Sequence, residues 1–277
     1  MSTDQPREPE EPVGFIERLH RARRLARKRR QLRRQTRRER REGVTDEGYP
    51  VPPPLLRYRV HGRKDLQSFI SDGRGLAASV RTLAESQGRN LVDYDAVLDF
   101  GCGCGRVLRY LQPDAPTTRF YGCDIDPDAI TWCQQNFADL AEFSLNPDRP
   151  PTPYADGTFD LIYAVSVFTH LGEDYQFAWL EELSRIARPG ALLLLSVHSQ
   201  SSWPDLRESE LADLEKNGIA LQRAYNRYLE VAGLPPFYQN AFHTRDYLER
   251  EWSKRFEILD MVVHGIGNQD VMVLRKG

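Results

Sequence analysis

Long apolar runs are missing from this chain. Nowhere do 18 hydrophobic residues follow one another, although such types make up 40% of the 277 residues. A membrane-spanning helix is therefore not expected, whereas a sizeable core is. The basic start of the chain has no apolar stretch behind it, so no signal peptide is expected. Cysteine is scarce and clustered, at Cys102, Cys104, Cys123 and Cys133 only. Their spacing, C-x-C and then two distant partners, fits no usual zinc knuckle, and no metal site is expected. Reduced thiols in a cytoplasmic protein are the expectation instead. No internal repeat is visible.

Net charge is also nearly absent, at −2, but that figure conceals a split. Residues 1–42 hold 15 Lys/Arg and 7 Asp/Glu, whereas the remainder holds 23 and 33. Met1 to Pro12 is polar, acidic and proline-bearing, the composition of a disordered start. Between Phe15 and Glu42 no proline or glycine interrupts the basic run. A long helix is expected there, with Phe15, Ile16, Leu19 and Leu25 as a thin apolar edge. Three readings of this arm stand open: a solvated counter-charge to the acidic body, a surface for nucleic acid or an anionic membrane, or a dock for an acidic protein. Gly43 to Pro54 reads as a linker held extended by its prolines. The chain thus divides into an arm (1–42), a linker (43–54) and one domain (55–277).

The domain is organised around Ala96 to Leu111, A-V-L-D-F-G-C-G-C-G-R-V-L-R-Y-L. Five residues to Phe100 form a short buried strand, and glycines follow at 101, 103 and 105. From Arg106 the apolar spacing is helical. Strand, glycine turn and helix together bring a ligand against bare main chain and a helix N-terminus. Phe120 to Asp124 forms a second strand ending on a carboxylate, which at this spacing accepts hydrogen bonds from a ribose. The run G-C-G-C-G departs from the dinucleotide pattern G-x-G-x-x-G. Asp99, two residues before it, suits a cation-bearing ligand and would repel a pyrophosphate.

Around this unit the elements alternate. Leu55 to Ile70 supplies buried candidates, Gly73 and Gly75 are expected to break it, and Leu76 to Ser86 reads as an amphipathic helix. Pro127 starts a helix with Ile130, Cys133 and Phe137 inward, and Asp126 before it reads as the cap, with a second ribose contact as the alternative. Phe143 to Asn146 reads as a third strand and Phe159 to Ala164 as a fourth, fed by a turn in which Asp156 is structural. Ser166, Thr169 and His170 follow the fourth strand at its carboxyl end, where parallel sheets bind ligands. Ala191 to Val197 is apolar enough to be buried on both faces and ends in His198. An insertion over about 199–244 carries Tyr238, Gln239, Asn240 and His243. Arg245 to Trp252 reads as a last helix. An antiparallel pair, Phe256 to Val263 and Val271 to Leu274, closes the chain, and Gln269 and Asp270 have no assigned role.

D-F-G-C-G-C-G-R, Y-G-C-D-I-D, Y-A-D-G-T-F-D-L-I-Y-A-V-S-V-F-T-H-L and L-S-R-I-A-R-P-G-A-L-L-L-L-S-V occur in that order between Ala96 and His198. This set resembles the motifs of class I S-adenosylmethionine-dependent methyltransferases, and V-S-V-F-T-H-L with the terminal Q-D (Gln269-Asp270) resembles bacterial members linked with saccharide or secondary-metabolite pathways. The resemblance implies an α/β Rossmann-like fold: a seven-stranded, mostly parallel sheet with an antiparallel last strand and helices on both faces. It implies S-adenosyl-L-methionine as the cofactor, held by Asp99, Gly101, Cys102, Gly103, Gly105, Arg106, Asp124, Ile125, Asn146 and Val165. Asn146 has Asp148 as a rival, because N-P-D-R-P-P-T-P departs from the family's pattern. Tyr58, Arg59 and Phe69 are placed near the cofactor. Ser166, Tyr238, Asn240 and His243 would meet the substrate, and His170 and His198 are the candidate bases. No N-P-P-Y or D-P-P-Y signature follows the fourth strand, which disfavours nucleobase amino groups. No cysteine pair serves cytosine C5. The expected reaction is methylation of an oxygen, or failing that a nitrogen, of a small molecule or saccharide. An RNA or protein methyltransferase tethered by the arm and a non-catalytic binding module are the alternatives.

Overall fold

The computed structural model describes residues 15–63, 65–222, 235 and 237–277. The acidic start of the arm and part of the insertion lie outside these residues. Helix α1 (Phe15–Glu42) runs the full length expected of the basic segment. Among the α1 residues whose burial is described, Lys28, Leu32, Gln35, Thr36 and Glu39 are the covered ones and share one side of the helix, with Leu32 at 1% exposure. A two-stranded hairpin follows, β1 (Thr45–Asp46) and β2 (Tyr49–Pro50). The segment expected to be an extended linker is therefore folded onto the domain. Arg109, buried to 1%, explains why: a guanidinium out of water needs acceptors, and the hairpin supplies the Asp46 carbonyl at 2.8 Å. Tyr110 adds a bond from its hydroxyl to Asp46 Oδ2 at 2.6 Å.

Helix α2 (Pro54–His61) begins on a proline, which has no N–H to leave unpaired. Its fully buried Arg57 grips Glu39 of α1 through two bonds of 2.9 and 2.8 Å and the Pro52 carbonyl at 2.7 Å. Burial alone would raise the Glu39 pKa, but hydrogen bonds from Arg57 and Gln35 outweigh it and hold the carboxylate below its ordinary value. Helix α3 (Leu66–Ser86) is capped by Asp65, which accepts from Ser68 N at 2.6 Å. It passes straight through Gly73 and Gly75, where a break was expected. A Cβ on Gly73 would lie 2.8 Å from the Arg106 carbonyl oxygen and from a Tyr110 ring carbon. That glycine serves a close crossing rather than a turn.

Strand β3 (Ala96–Phe100) is buried throughout. After the glycine turn comes α4 (Leu108–Leu111), a single turn where a full helix was expected. Pro113 lacks the N–H that a continuing helix would require. Strand β4 (Arg119–Asp124), helix α5 (Pro127–Asn136), β5 (Glu142–Leu145), β6 (Phe159–Ala164), α6 (Glu173–Ile186) and β7 (Ala187–Val197) complete the alternation. Within the insertion α7 (Glu208–Asn217) leads into an antiparallel pair, β8 (Ile219–Gln222) and β9 (Asn240–His243). Helix α8 (Arg245–Trp252) has the expected bounds. Strands β10 (Glu257–Ile266) and β11 (Gln269–Arg275) end the chain.

The main sheet has the order β10-β11-β7-β6-β3-β4-β5, and β11 alone runs antiparallel to its neighbours. This is the expected Rossmann-like α/β arrangement. One face packs Ala77, Val80 and Leu83 of α3 with Ile130 and Cys133 of α5. The other packs Trp179, Leu180 and Leu183 of α6 with Leu248 and Trp252 of α8. Each fully buried leucine stabilises the fold by roughly 2 kcal/mol. The chain turns in opposite directions from β3 and β6, which places the topological switch point between them. All four cysteines are buried and unpaired. Among the described residues no helix is long and apolar enough to cross a membrane.

Candidate active site

A cavity of about 1050 Å³ opens at the carboxyl edge of the sheet. The turn after β3 forms its floor. Gly101, Gly103 and Gly105 have φ of +79°, +54° and +71°, the left-handed region that side chains resist. Gly101 N and Cys102 N both donate to the Cys123 carbonyl, at 2.8 and 2.9 Å, which ties the turn to β4. A Cβ would come within 2.3 Å of Val167 Cγ2 at Gly101 and 2.4 Å of Val60 Cγ1 at Gly103. Both glycines line the cavity, as do Cys102 and Arg106. Gly105 does not; it faces the Phe137 ring in the core. Since α4 is only one turn long, the turn's own main chain makes the cradle in place of a helix end.

Two carboxylates flank this turn. Asp99, 2% exposed, is carried to the rim by β3, and its Oδ2 has no hydrogen-bond partner. Burial pushes its pKa up to about 7; the adjacent Tyr163 hydroxyl opposes that shift and the nearby Asp124 charge adds to it. Asp124, at the end of β4, is lifted to about 6 by burial, partly offset by backbone donors. It accepts from Gly103 N at 2.7 Å and Asp126 N at 2.8 Å, so it clamps the turn while facing the cavity. Two buried carboxylates this close favour a bound cation and hydroxyl donors.

Ile125, Asn146 and Asp148 continue the same wall, and Asn146 Oδ1 is buried without a partner. Asp126 caps α5 as expected, accepting from Asp128 N at 3.0 Å. It also holds Arg59, whose Nη1 lies 2.8 and 2.7 Å from its two oxygens and 2.9 Å from Asp128. That clamp draws α2 over the cavity, which Arg59, Val60 and His61 line. Tyr58 and Phe69 do not reach it; Tyr58 lies under Lys28, and Phe69 is core.

The opposite wall starts at the end of β6. Val165, Ser166 and His170 line the cavity with Phe237 and Tyr238. Ser166 has φ +59° and donates its N–H to Ser196 Oγ at 2.8 Å. The His170 ring stacks on Tyr238 with centroids 4.2 Å apart. Its Nδ1 lies 3.2 Å from the Gln239 carbonyl, so Nδ1 carries the hydrogen and Nε2 keeps a lone pair. Burial, reinforced by His198, drives the His170 pKa down to about 3.

Three expected residues do not line the cavity, although His198 and Asn240 lie behind His170, the His198 ring edge-on to it at 6.2 Å. His198 stacks on Phe242 and does not line the cavity. Asn240 donates to Gln222 at 3.2 Å. His243, fully buried, bonds Gln176 and the His198 carbonyl and belongs to the packing. In their place the β10–β11 turn contributes His264, Asn268 and Gln269. Gln269 Nε2 donates to Ser166 Oγ at 2.7 Å, and its buried Oε1 is unpartnered. A signal for it existed: an antiparallel last strand must begin at the edge where the parallel strands end. The neighbouring Asp270 is buried and accepts from Ser199, Ser201 and His264 N, tying β11 to the loop after β7.

Comparison with known proteins follows the same lines. A family described as a methyltransferase domain matches residues 98–193. The rice (Oryza sativa subsp. japonica) protein named "Probable tocopherol O-methyltransferase, chloroplastic" is 30% identical over 147 residues, 49% of this chain and 39% of that one. The malonyl-[acyl-carrier protein] O-methyltransferase of Hahella chejuensis is 29% identical over 137 residues, 49% of this chain and 46% of that one. The chain thus spans less than half the length of these curated relatives. Burkholderia thailandensis 1,6-didemethyltoxoflavin-N1-methyltransferase shares the fold, with TM-score 0.52 at 18% identity over 84% of this chain and 97% of that one. The ordered motifs, the sheet and the matched domain agree: the chain carries a stretch, residues 98–193, that matches a methyltransferase domain, and it shares its fold with a known methyltransferase.

Proposed function

We propose that this protein transfers a methyl group from S-adenosylmethionine to an oxygen of a small molecule or saccharide. The observation that carries the reading is Asp99: a buried carboxylate with a bare oxygen, set beside a glycine cradle and opposite a second carboxylate. The residues fit the donor. Asp99 would take the amino group of its amino-acid end, Gly101 to Gly103 would pass main chain beside it, and Asp124 would bind ribose hydroxyls with the lone pairs its backbone bonds leave. Ile125 supplies apolar surface, and Asn146 Oδ1 an acceptor, for the adenine side.

When bound, the donor would supply a methyl on a sulfonium: the acceptor oxygen takes that carbon in line as the C–S bond breaks to leave a neutral thioether, and the hydroxyl proton passes to water. Alignment provides most of the rate in such a displacement, and the second wall is built for alignment. Gln269 Oε1 and His170 Nε2 offer acceptors to an O–H, and Tyr238 and Phe237 offer flat apolar surface. A histidine driven to about 3 is a weak proton acceptor near neutral pH, so His170 orients a hydroxyl more than it deprotonates it. Oxygen as acceptor atom is supported by the two curated relatives, both named O-methyltransferases. Transfer of labelled methyl into cell extract fractionated into small molecules, glycans, RNA and protein tests the proposal. Label in the first two fractions, lost with Asp99→Asn, is expected; label confined to RNA or protein would overturn the substrate class.

A further inference from the structure

Helix α1 has two opposite sides. Its covered residues, Lys28, Leu32, Gln35, Thr36 and Glu39, lie against the domain, with Lys28 over the Tyr58 ring and Glu39 in the grip of Arg57. Arg23, Arg27, Arg30, Arg34, Arg37 and Arg41 are all exposed. They recur at alternating spacings of four and three, so on a helix of 3.6 residues per turn they form one straight row. At 100° per residue that row points about 165° away from the mean direction of the covered residues. It extends roughly 27 Å, with a guanidinium about every 5 Å. No acidic side chain pairs with any of the six among the described residues, although Arg38 beside them pairs with Glu42.

Such a row repels itself unless something anionic lies along it. Three partners compete. A membrane surface requires an apolar face beside the charge, and from Arg23 to Arg41 the large hydrophobic residues are Leu25 and the buried Leu32 alone. A protein partner requires an apolar centre to its interface, which this face also lacks. A nucleic-acid backbone requires neither. Its charges recur along a line, and arginine's planar fork pairs with phosphate through two parallel bonds. We infer that the exposed arginine row of α1 binds the phosphate backbone of a nucleic acid. The inference is independent of methyl transfer, since the covered side of α1 fixes the row whatever the cavity holds.

The test uses the full chain without methyl donor. Fluorescence anisotropy with a labelled 20-nucleotide single-stranded RNA and a 20-base-pair DNA is followed against salt. Six contacts predict a slope of log K on log salt of about −4 for the single strand and about −5 for the duplex. Replacing Arg27, Arg30, Arg34 and Arg37 by Gln keeps good helix formers in place, checked by circular dichroism. The variant should lose about 3 from the single-strand slope and at least roughly 30-fold in affinity at low salt. Lys28→Gln, on the covered side, should change the slope by less than 1. A slope of the unaltered chain shallower than about −1 on both probes, or one unchanged in the fourfold variant, overturns the inference. So does tighter binding to phosphatidylserine vesicles or to poly-glutamate than to either nucleic acid.

Discussion

Asp99, Gly101, Gly103 and Asp124 sit on one wall of the cavity and come from a single strand–turn–strand unit. Ser166, His170, Tyr238 and Gln269 sit on the other and come from three separate stretches of the chain. The first wall is positioned by sheet register, with Asp99 paired to Gly122 and Asp124 to Leu145. The second is held by contacts between side chains, such as Gln269 on Ser166 and Tyr238 on His170. Register fixes main chain, so the first wall can bind a constant group with constant atoms. Side-chain contacts change with one substitution, so the second is where the proposed function puts acceptor choice.

The largest effect expected from this contrast is on Asp99→Asn. A hydrogen bond to a charged group contributes about 1.5–3 kcal/mol, so S-adenosylmethionine affinity should fall roughly 100-fold by calorimetry. The same variant should melt above the parent at pH 8. With its folded pKa raised to about 7, Asp99 binds its proton more tightly folded than unfolded, so its contribution to stability declines as pH rises from about 4 to 7. Unchanged affinity, or a lower melting point at pH 8, would break the comparison at its strongest point.

Gly103→Ala comes next. Its Cβ would meet Val60 at 2.4 Å in a left-handed conformation, which costs about 1–3 kcal/mol. Donor affinity should drop about 10–30-fold, with a lower melting temperature, and a variant that binds as well as the parent removes the cradle from the argument. Ionisation gives a third effect. If Asp99 must be charged to hold the donor, affinity gains about tenfold between pH 6 and pH 8, as the ionised fraction rises. Asp99→Asn should abolish that gain. The smallest effect on donor binding sharpens the contrast: Gln269→Ala should leave donor affinity within about twofold while kcat/KM for an accepted substrate falls about tenfold. A large loss of donor affinity there would merge the two walls into one.

The same distinction decides what could be read before the coordinates. Asp99, the glycine turn, Asp124, the Asp126 cap before Pro127 and the limits of α8 all follow from local spacing and propensity. Gly73 is no break because glycine also serves close crossings, which only the packed partner reveals, and Gly75 faces open space within the same helix. The hairpin at 45–50 escaped notice because its cause is a buried arginine some sixty positions away. His243 looked like a substrate contact and is a packed histidine bonded to Gln176, since a sequence does not show to which side a strand's residue points in an insertion. Gln269 is the converse case, a site residue recruited by the return of the last strand.

Arg59 has a kinetic consequence. It fastens α2 across the cavity through ion pairs to Asp126 and Asp128 at a partly exposed rim. Each such pair is worth about 1 kcal/mol or less and is screened over roughly 10 Å at 0.1 M salt. Rising ionic strength should therefore loosen this clamp, while the buried Leu56 and Arg57 keep the rest of α2 in place. Turnover limited by product escape would then speed up in salt, opposite to the weakening that salt imposes on the arginine row of α1.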